Sequence, residues 1–296
     1  MNNNLIENIY KSKSSRPLIL DGAIGSYLQE KGFSADKYLW YSYLNIERPE
    51  IVEMIHREYI NAGADIITTN TFRTNPFAKK RSDLKISNQE LVKKSVEIAI
   101  KTRESKPIVI AGSNAPAEDC YQVERTISFF ELEYNHKKHI EMLIDSGVDI
   151  IWNETHSHLD EIELICKFCD ENKINFAMNL FFKHDLTILS GEPLNEIVRL
   201  IENYNPALIG FNCIKPEIFI KNIDRIYLPK NWGFYFNCGA GNYEDEIISC
   251  GISPNNYLNQ IKFLIEYKPK FVGACCGSNP AHIKLIKEYL NEIHRD

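Results

Sequence analysis

The strongest constraint in this sequence is an alternation. Eight short apolar runs rich in β-branched residues, at 18–22, 65–70, 107–113, 149–154, 175–182, 207–213, 232–238 and 271–276, are separated by longer amphipathic stretches. The stretch from Glu50 shows the helical spacing, with Ile51, Met54, Ile55, Tyr59 and Ile60 on one face. Similar patterns cover 88–101, 129–145, 159–170, 194–202, 216–223, 254–266 and 280–293. A strand that must cross a helix before the next strand can only pair in parallel, and eight such units fit a closed (β/α)8 TIM barrel better than an open sheet. Ser87-Asn88-Gln89-Glu90 resembles a capping box, Pro280 suits a first helical position, and Gly63 and Gly147 stand where helices should end. No Pro/Gly/Ser-rich linker divides the chain, so residues 1–296 are read as one barrel domain of the α/β class.

Composition narrows the function. The net charge of −6, from 34 Lys+Arg against 40 Asp+Glu, argues against a nucleic-acid partner. No run approaches the ~18–20 apolar residues that span a bilayer, and Met1-Asn2-Asn3-Asn4 lacks the basic start and apolar run of a secretory signal. The expectation is a cytoplasmic protein with no membrane partner. In that compartment the eight cysteines read as thiols, metal ligands or small buried residues rather than a disulfide frame.

The active face of a TIM barrel is the carboxyl-terminal end of its strands. Six of the eight candidate strands end in polar or thiol groups: Asp21-Gly22-Ala23, Thr68-Thr69-Asn70-Thr71, Asn153-Glu154-Thr155-His156, Asn212-Cys213, Asn237-Cys238-Gly239 and Ala274-Cys275-Cys276-Gly277. The longest irregular stretches, 32–48, 71–86 and 115–128, also follow strand ends. Cys213, Cys275 and Cys276 lie two strands apart around the ring, so three sulfurs could meet with one coordination position left open, an arrangement typical of zinc. Adjacent cysteines in a regular strand point to opposite faces, so this requires a break at Cys275-Cys276-Gly277. The other reading of the pair is two small buried hydrophobes.

Cys120, Cys166, Cys169, Cys238 and Cys250 are assigned structural places, Cys166-Lys-Phe-Cys169 because it lies inside an amphipathic helix with no second pair nearby. His56, His136, His139, His282 and His294 fall on or at the ends of helical patterns and read as surface or boundary residues. His156 and His158 read as solvated loop histidines.

Taken together, Asp21-Gly22-Ala23-Ile24-Gly25, Trp40 before Arg48-Pro49-Glu50, Ala62-Gly63-Ala64-Asp65, Thr69-Asn70-Thr71-Phe72, Glu154-Thr155, Gly210-Phe211-Asn212-Cys213, Asn237-Cys238-Gly239 and Gly273-Ala274-Cys275-Cys276-Gly277 resemble the homocysteine S-methyltransferase family. The likeness runs over nearly the whole chain. It departs at Phe236 and Cys238, where the family has Pro and Ser or Ala, and in the Trp152-Asn153 and Thr155-His156-Ser157-His158 flanks of Glu154. The resemblance implies a zinc-bearing barrel in which Cys213, Cys275 and Cys276 hold Zn2+ and Asn237 sits beside it, a candidate to touch the metal before the thiol arrives. It implies that Glu154 holds the amino group of L-homocysteine, with Asp21, Gly22 and Ala23 completing the pocket and Thr69 on the same rim.

The methyl donor of such an enzyme must carry a good leaving group, commonly a cationic sulfonium or ammonium. Trp40, with Tyr41 and Tyr43 beside it, could receive that cation on an aromatic face; the other reading makes Trp40 a lid residue over the barrel mouth. The chain holds only the barrel, without folate or cobalamin modules or the long carboxyl-terminal extension of betaine-using relatives. The expectation is therefore a standalone enzyme using S-methylmethionine or S-adenosylmethionine to form methionine. Betaine, or a separate corrinoid or methyltetrahydrofolate protein, as methyl source remains the alternative, and a non-catalytic zinc- and thiol-binding barrel is a second one.

Overall fold

The computed structural model describes Lys11, residues 16–242 and residues 247–294; the amino-terminal residues 1–4 lie outside the described residues. Its centre is an eight-stranded parallel sheet in the order β1-β8-β7-β6-β5-β4-β3-β2. The strands are β1 (Leu18–Ile19), β2 (Ile66–Thr68), β3 (Val109–Asn114), β4 (Ile150–His156), β5 (Phe176–Leu180), β6 (Leu208–Asn212), β7 (Trp232–Phe236) and β8 (Phe271–Ala274). A parallel bridge from Leu20 to Ile66 joins the first and last strands of that order. Asp21 N to Ile66 O at 3.0 Å and Asp65 N to Ile19 O at 2.7 Å carry the same seam. The (β/α)8 barrel is thereby nearly closed, as the alternation predicts.

The helices follow the amphipathic stretches: α3 (Pro49–Ala62), α5 (Asn88–Arg103), α6 (Phe129–Asp145), α7 (Leu159–Glu171), α8 (Leu194–Glu202), α9 (Pro216–Lys221), α10 (Pro254–Ile261) and α11 (Pro280–Ile293). Pro280 stands in the first turn of α11, and Gly63 and Gly147 have positive φ where α3 and α6 end. Reciprocal capping boxes form at Ser128 with Glu131 and at Asn279 with His282, whereas Ser87 caps α5 by accepting from Glu90 N at 3.2 Å. Three short helices fall outside the amphipathic stretches, α1 (Gly25–Glu30) before the first irregular stretch, α2 (Leu44–Glu47) within 32–48 and α4 (Pro76–Arg81) within 71–86. Each has too few turns to show a face, which is why a period count passes over them.

The core has two layers. Inside the barrel lie Leu18, Leu20, Ile66, Val109, Ala111, Ile150, Trp152, Ala177, Leu208, Tyr235 and Phe271. Trp152 and Phe271 meet edge to face at 5.0 Å across that interior. The larger layer packs the outer strand faces against the helices, and Cys166 and Cys169 are buried within it. Beside the seam, buried Arg16 pairs with Asp65 at 2.8 Å, and Asp65 also accepts from Ile19 N at 3.0 Å.

The histidines require a correction. His56, His136, His139, His156 and His282 are each 0% exposed, not surface, boundary or solvated residues. A helix or strand face packed against a neighbouring element hides a polar ring whenever that neighbour supplies hydrogen bonds, and sequence period does not report the neighbour. His56 lacks even those, since neither ring nitrogen has a partner.

Candidate metal and substrate site

The strand ends open into one cavity of about 1130 Å³. Cys213, Cys275, Cys276 and Glu154 are in its wall, and so are Asp21, Gly22, Ala23, Thr69 and Trp40. Asn237 is not in the wall.

Cys213 follows β6 and Cys275 follows β8, on either side of β7. Their sulfurs lie 3.0 Å apart, Cys213 and Cys276 are 3.4 Å apart, and Cys275 and Cys276 are 3.9 Å apart. The adjacent cysteines converge because β8 stops at Ala274 and the chain turns at Gly277, whose φ is 77°. A Cβ there would come within 2.6 Å of Gly239 Cα, so only glycine fits the turn. Cys213 itself has φ 57°, an uncommon conformation for a non-glycine residue and one found at functional sites.

Three sulfurs, all within 4.8 Å of one another, form the group of metal-capable side chains found among the described residues. A tetrahedral zinc with Zn–S near 2.3 Å holds its sulfurs about 3.8 Å apart, close to the spacing seen here, and an all-thiolate set suits a soft or borderline cation. Hydrogen bonds from Cys213 and Cys275 pull the Cys276 thiol down to about 5, while Cys275, donating to both neighbours and buried, is pushed well up. Cys120 lines the same cavity but is outside the group of three.

Glu154 stands next to Thr155, whose φ is 64°, where the β4–β5 register shifts between Asn153 and His156. The Ser113 hydroxyl donates to one of its oxygens, and Tyr235 Oη donates to the other at 3.3 Å. Tyr235 accepts in turn from Trp152 Nε1 at 3.1 Å, tying the carboxyl to the barrel interior. Burial raises Glu154 to about 7, against the lowering effect of those hydroxyls. A cationic group arriving beside it would be stabilised by the carboxylate form.

Two other rim residues are already engaged. Asp21 accepts from Thr68 N at 2.8 Å and from Thr68 Oγ1. Its carboxyl is raised well above the usual range by burial, against the lowering bonds from Thr68. Thr69 Oγ1 meets Thr71 Oγ1 at 2.7 Å and accepts from Ser113 N at 3.1 Å. Ala23 N donates to Ser278 Oγ at 3.0 Å and Ala23 O accepts from Tyr59 Oη at 2.8 Å. Asn237 Oδ1 accepts from Gly239 N at 2.7 Å, and its Nδ2 lies 3.9 Å from Cys213 Sγ.

Trp40 packs at 5.7 Å from Phe72 and 5.3 Å from Tyr41. Its six-membered ring lies over Gly25, where a Cβ would sit 2.4 Å from the ring. Phe72 and Tyr41 share the cavity wall with Trp40, whereas Tyr43 is not part of it and donates to Ser34 O at 2.9 Å.

Sequence reasoning missed Tyr121, whose Oη is 3.0 Å from Cys213 Sγ. No motif surrounds it; the only signal is an aromatic residue in the stretch after the third strand. That stretch is pinned from behind by Glu161 on α7, which accepts from Ala117 N at 2.9 Å and from His136 Nε2 at 2.6 Å. Burial would raise the Glu161 carboxyl, but the His136 bond and nearby His156 hold it well below the usual range. Asn114 Nδ2 faces His136 Nδ1 at 3.3 Å, so His136 is neutral with its proton on Nε2.

The family model described as homocysteine S-methyltransferase matches residues 18–290. The chain is similar to a homocysteine S-methyltransferase of Escherichia coli K12, 26% identical over 295 residues, covering 91% of this chain and 94% of that one. It is similar to homocysteine S-methyltransferase 2 of Zea mays, 25% identical over 314 residues, covering 93% and 90%. Among solved structures, the metallated form of the Escherichia coli homocysteine methyltransferase MmuM superposes with a TM-score of 0.79 at 25% identity, covering 97% of this chain and all of that one.

Proposed function

The chain belongs to the homocysteine S-methyltransferase family, and from that premise we propose that it methylates the sulfur of L-homocysteine to give methionine, with Zn2+ held by Cys213, Cys275 and Cys276 and a sulfonium compound, S-methylmethionine before S-adenosylmethionine, as donor. The observation that carries this reading is the juxtaposition of three sulfurs within 4.8 Å and the Glu154 carboxyl in one cavity wall. The reading takes residues 1–296 as one homocysteine-binding barrel, and a site built on free thiols suits a reducing, cytosolic setting.

Zinc bound there with its fourth position open would supply Lewis acidity that converts an arriving thiol, unperturbed pKa near 8.5, to the thiolate at neutral pH. The rest falls to the chain's own groups. Glu154, oriented by Ser113 and Tyr235, accepts the substrate ammonium and so fixes where the thiol end points. Asp21 acts from one step back, holding the Thr68 backbone and hydroxyl at the second strand end. Gly22 and Ala23 leave the wall open beside it. Trp40, Phe72 and Tyr41 give the donor's positive centre an aromatic face, worth ~0.5–2 kcal/mol, and cover the reacting groups from water. Transfer then needs the sulfur nucleophile and the methyl carbon in line, and a cavity of about 1130 Å³ has room for both molecules together.

Purified protein incubated with homocysteine and a panel of S-methylmethionine, S-adenosylmethionine, betaine and methylcobalamin tests the proposal by methionine formed. Turnover with a free sulfonium compound is the expected result. Turnover with methylcobalamin or betaine alone would replace the donor assignment, and zinc binding without any turnover would leave only a metal- and thiol-binding barrel.

A further inference from the structure

We propose that Tyr121 is a positioning residue of the sulfur site, its hydroxyl donating to Cys213 Sγ so that one thiolate of the three is singled out as the charge-relieved ligand. This rests on the metal assignment above and goes beyond it, because it makes the three cysteines unequal. The Tyr121 Oη to Cys213 Sγ distance is 3.0 Å, whereas Cys275 Sγ and Cys276 Sγ have sulfurs as their neighbours. The second donor near Cys213, Asn237 Nδ2, stands farther off at 3.9 Å, with the amide held by its Oδ1 accepting from Gly239 N.

The hydroxyl is held in place rather than swinging freely. Its ring meets Phe181 edge to face at 5.1 Å, and Tyr121 N donates to Asp119 Oδ1 at 2.9 Å. Behind it the buried Glu161 carboxylate fixes Ala117, Arg73 donates to Glu118 O, and the Glu118 carboxylate accepts from Thr126 N at 2.8 Å. The tether therefore runs from α7 through the whole stretch to the phenol.

Three thiolates on a dication leave a formal excess of one negative charge, and an incoming fourth thiolate makes it two. A hydrogen bond to a ligand sulfur withdraws electron density from that sulfur, which is the usual work of groups just outside a metal's ligands. Aimed at Cys213, the Tyr121 hydroxyl relieves the excess without touching the substrate sulfur, whose electron density the reaction needs.

The test uses full-length protein loaded with Co2+, whose thiolate-to-metal charge-transfer band reports electron density on the sulfurs. For Tyr121→Phe, which deletes one oxygen, the expected result is a band shifted to longer wavelength and a Co2+ dissociation constant raised about tenfold in chelator competition. Phe181→Leu, which keeps the hydroxyl but loosens its seat, is expected to give a smaller shift in the same direction. An unchanged band and dissociation constant in folded Tyr121→Phe, checked by circular dichroism, would overturn the inference and leave the metal site standing. Absence of any thiolate band in the unsubstituted protein would instead overturn the metal site itself.

Discussion

Cys213 Sγ and Cys275 Sγ lie 3.0 Å apart although 62 positions separate them in the chain. Nothing local links the two; the barrel does, by setting β6 and β8 on either side of β7. The first prediction is drawn from that pair. Cys275→Ser is expected to lose both bound zinc and methyl transfer, because two thiolates and a hydroxyl no longer match the cation. Cys166→Ser, buried in the helical layer, is expected to keep both. Metal content by mass spectrometry with a parallel assay checks this, and stoichiometric zinc in Cys275→Ser would reject the ligand assignment.

Glu154 makes a separable contribution. Glu154→Gln keeps the size of the side chain and one acceptor oxygen for Ser113 or Tyr235, but puts an amide N–H in place of the other oxygen and removes the charge proposed to hold a substrate ammonium. The homocysteine KM is expected to rise about 10- to 100-fold, the size of a lost charged hydrogen bond at ~1.5–3 kcal/mol. Zinc content is expected to stay unchanged. An unaltered KM would mean that the amino group is held elsewhere.

The seat of Trp40 depends on the absence of a side chain at Gly25. Gly25→Ala places a methyl 2.4 Å from the indole and must push the ring aside, at an overpacking cost of ~1–3 kcal/mol. Donor KM is expected to rise while homocysteine KM holds, with Trp40→Leu giving the same split. Equal changes in both constants would assign Trp40 to packing alone.

Acid weakens the contribution of two buried histidines before it touches ordinary carboxylates. Burial lowers His56 to about 4 and His139 to about 3, against about 6.5 for an unfolded histidine. Below pH 6.5 the unfolded chain takes up protons that these two rings refuse in the fold, so their contribution falls as pH drops toward those values, against an opposite contribution from Glu154 and Asp21, whose raised carboxyls take up protons first in the fold. For His56 the 2.5-unit gap corresponds to about 3 kcal/mol. Glu161, held low by its His136 bond, adds a second loss in the same direction below pH ~4.3. Thermal melts of metal-free Cys275→Ser from pH 7.5 to 4.5, with and without His56→Leu, separate the histidine contribution from proton displacement of the metal. His56→Leu, which removes two unpartnered ring nitrogens, should flatten the decline. A pH dependence left unchanged by His56→Leu would contradict it.

Asp65 offers a check on the barrel seam. It is buried, pairs with Arg16 and accepts from Ile19 N, so Asp65→Ala leaves an uncompensated guanidinium next to β1. A loss of ~3–5 kcal/mol is expected in denaturant unfolding. A loss below ~1 kcal/mol would show that the pair is solvated.

Much of the fold can be read from local pattern. All eight strands lie within the apolar runs or overlap them, and α6, α8 and α11 occupy the amphipathic stretches residue for residue. A period of two or 3.6 is written into neighbouring residues, and side-chain direction follows from it. The need for a break after Cys275 and Cys276 is legible in the same way, since Gly277 is the residue that permits the turn.

Sequence alone thus determined the barrel and the rim on which reactive groups collect, because both depend on spacing along the chain. Tertiary structure alone decided which rim groups remain available. Asp21 and Thr69 are engaged by Thr68, Thr71 and Ser113; His136 and His156 vanish into the packing around Glu161; and Tyr121, without any motif, reaches Cys213. Hydrogen bonds form between atoms brought close by strand register and helix packing, and that proximity is a property of the closed barrel rather than of any segment within it.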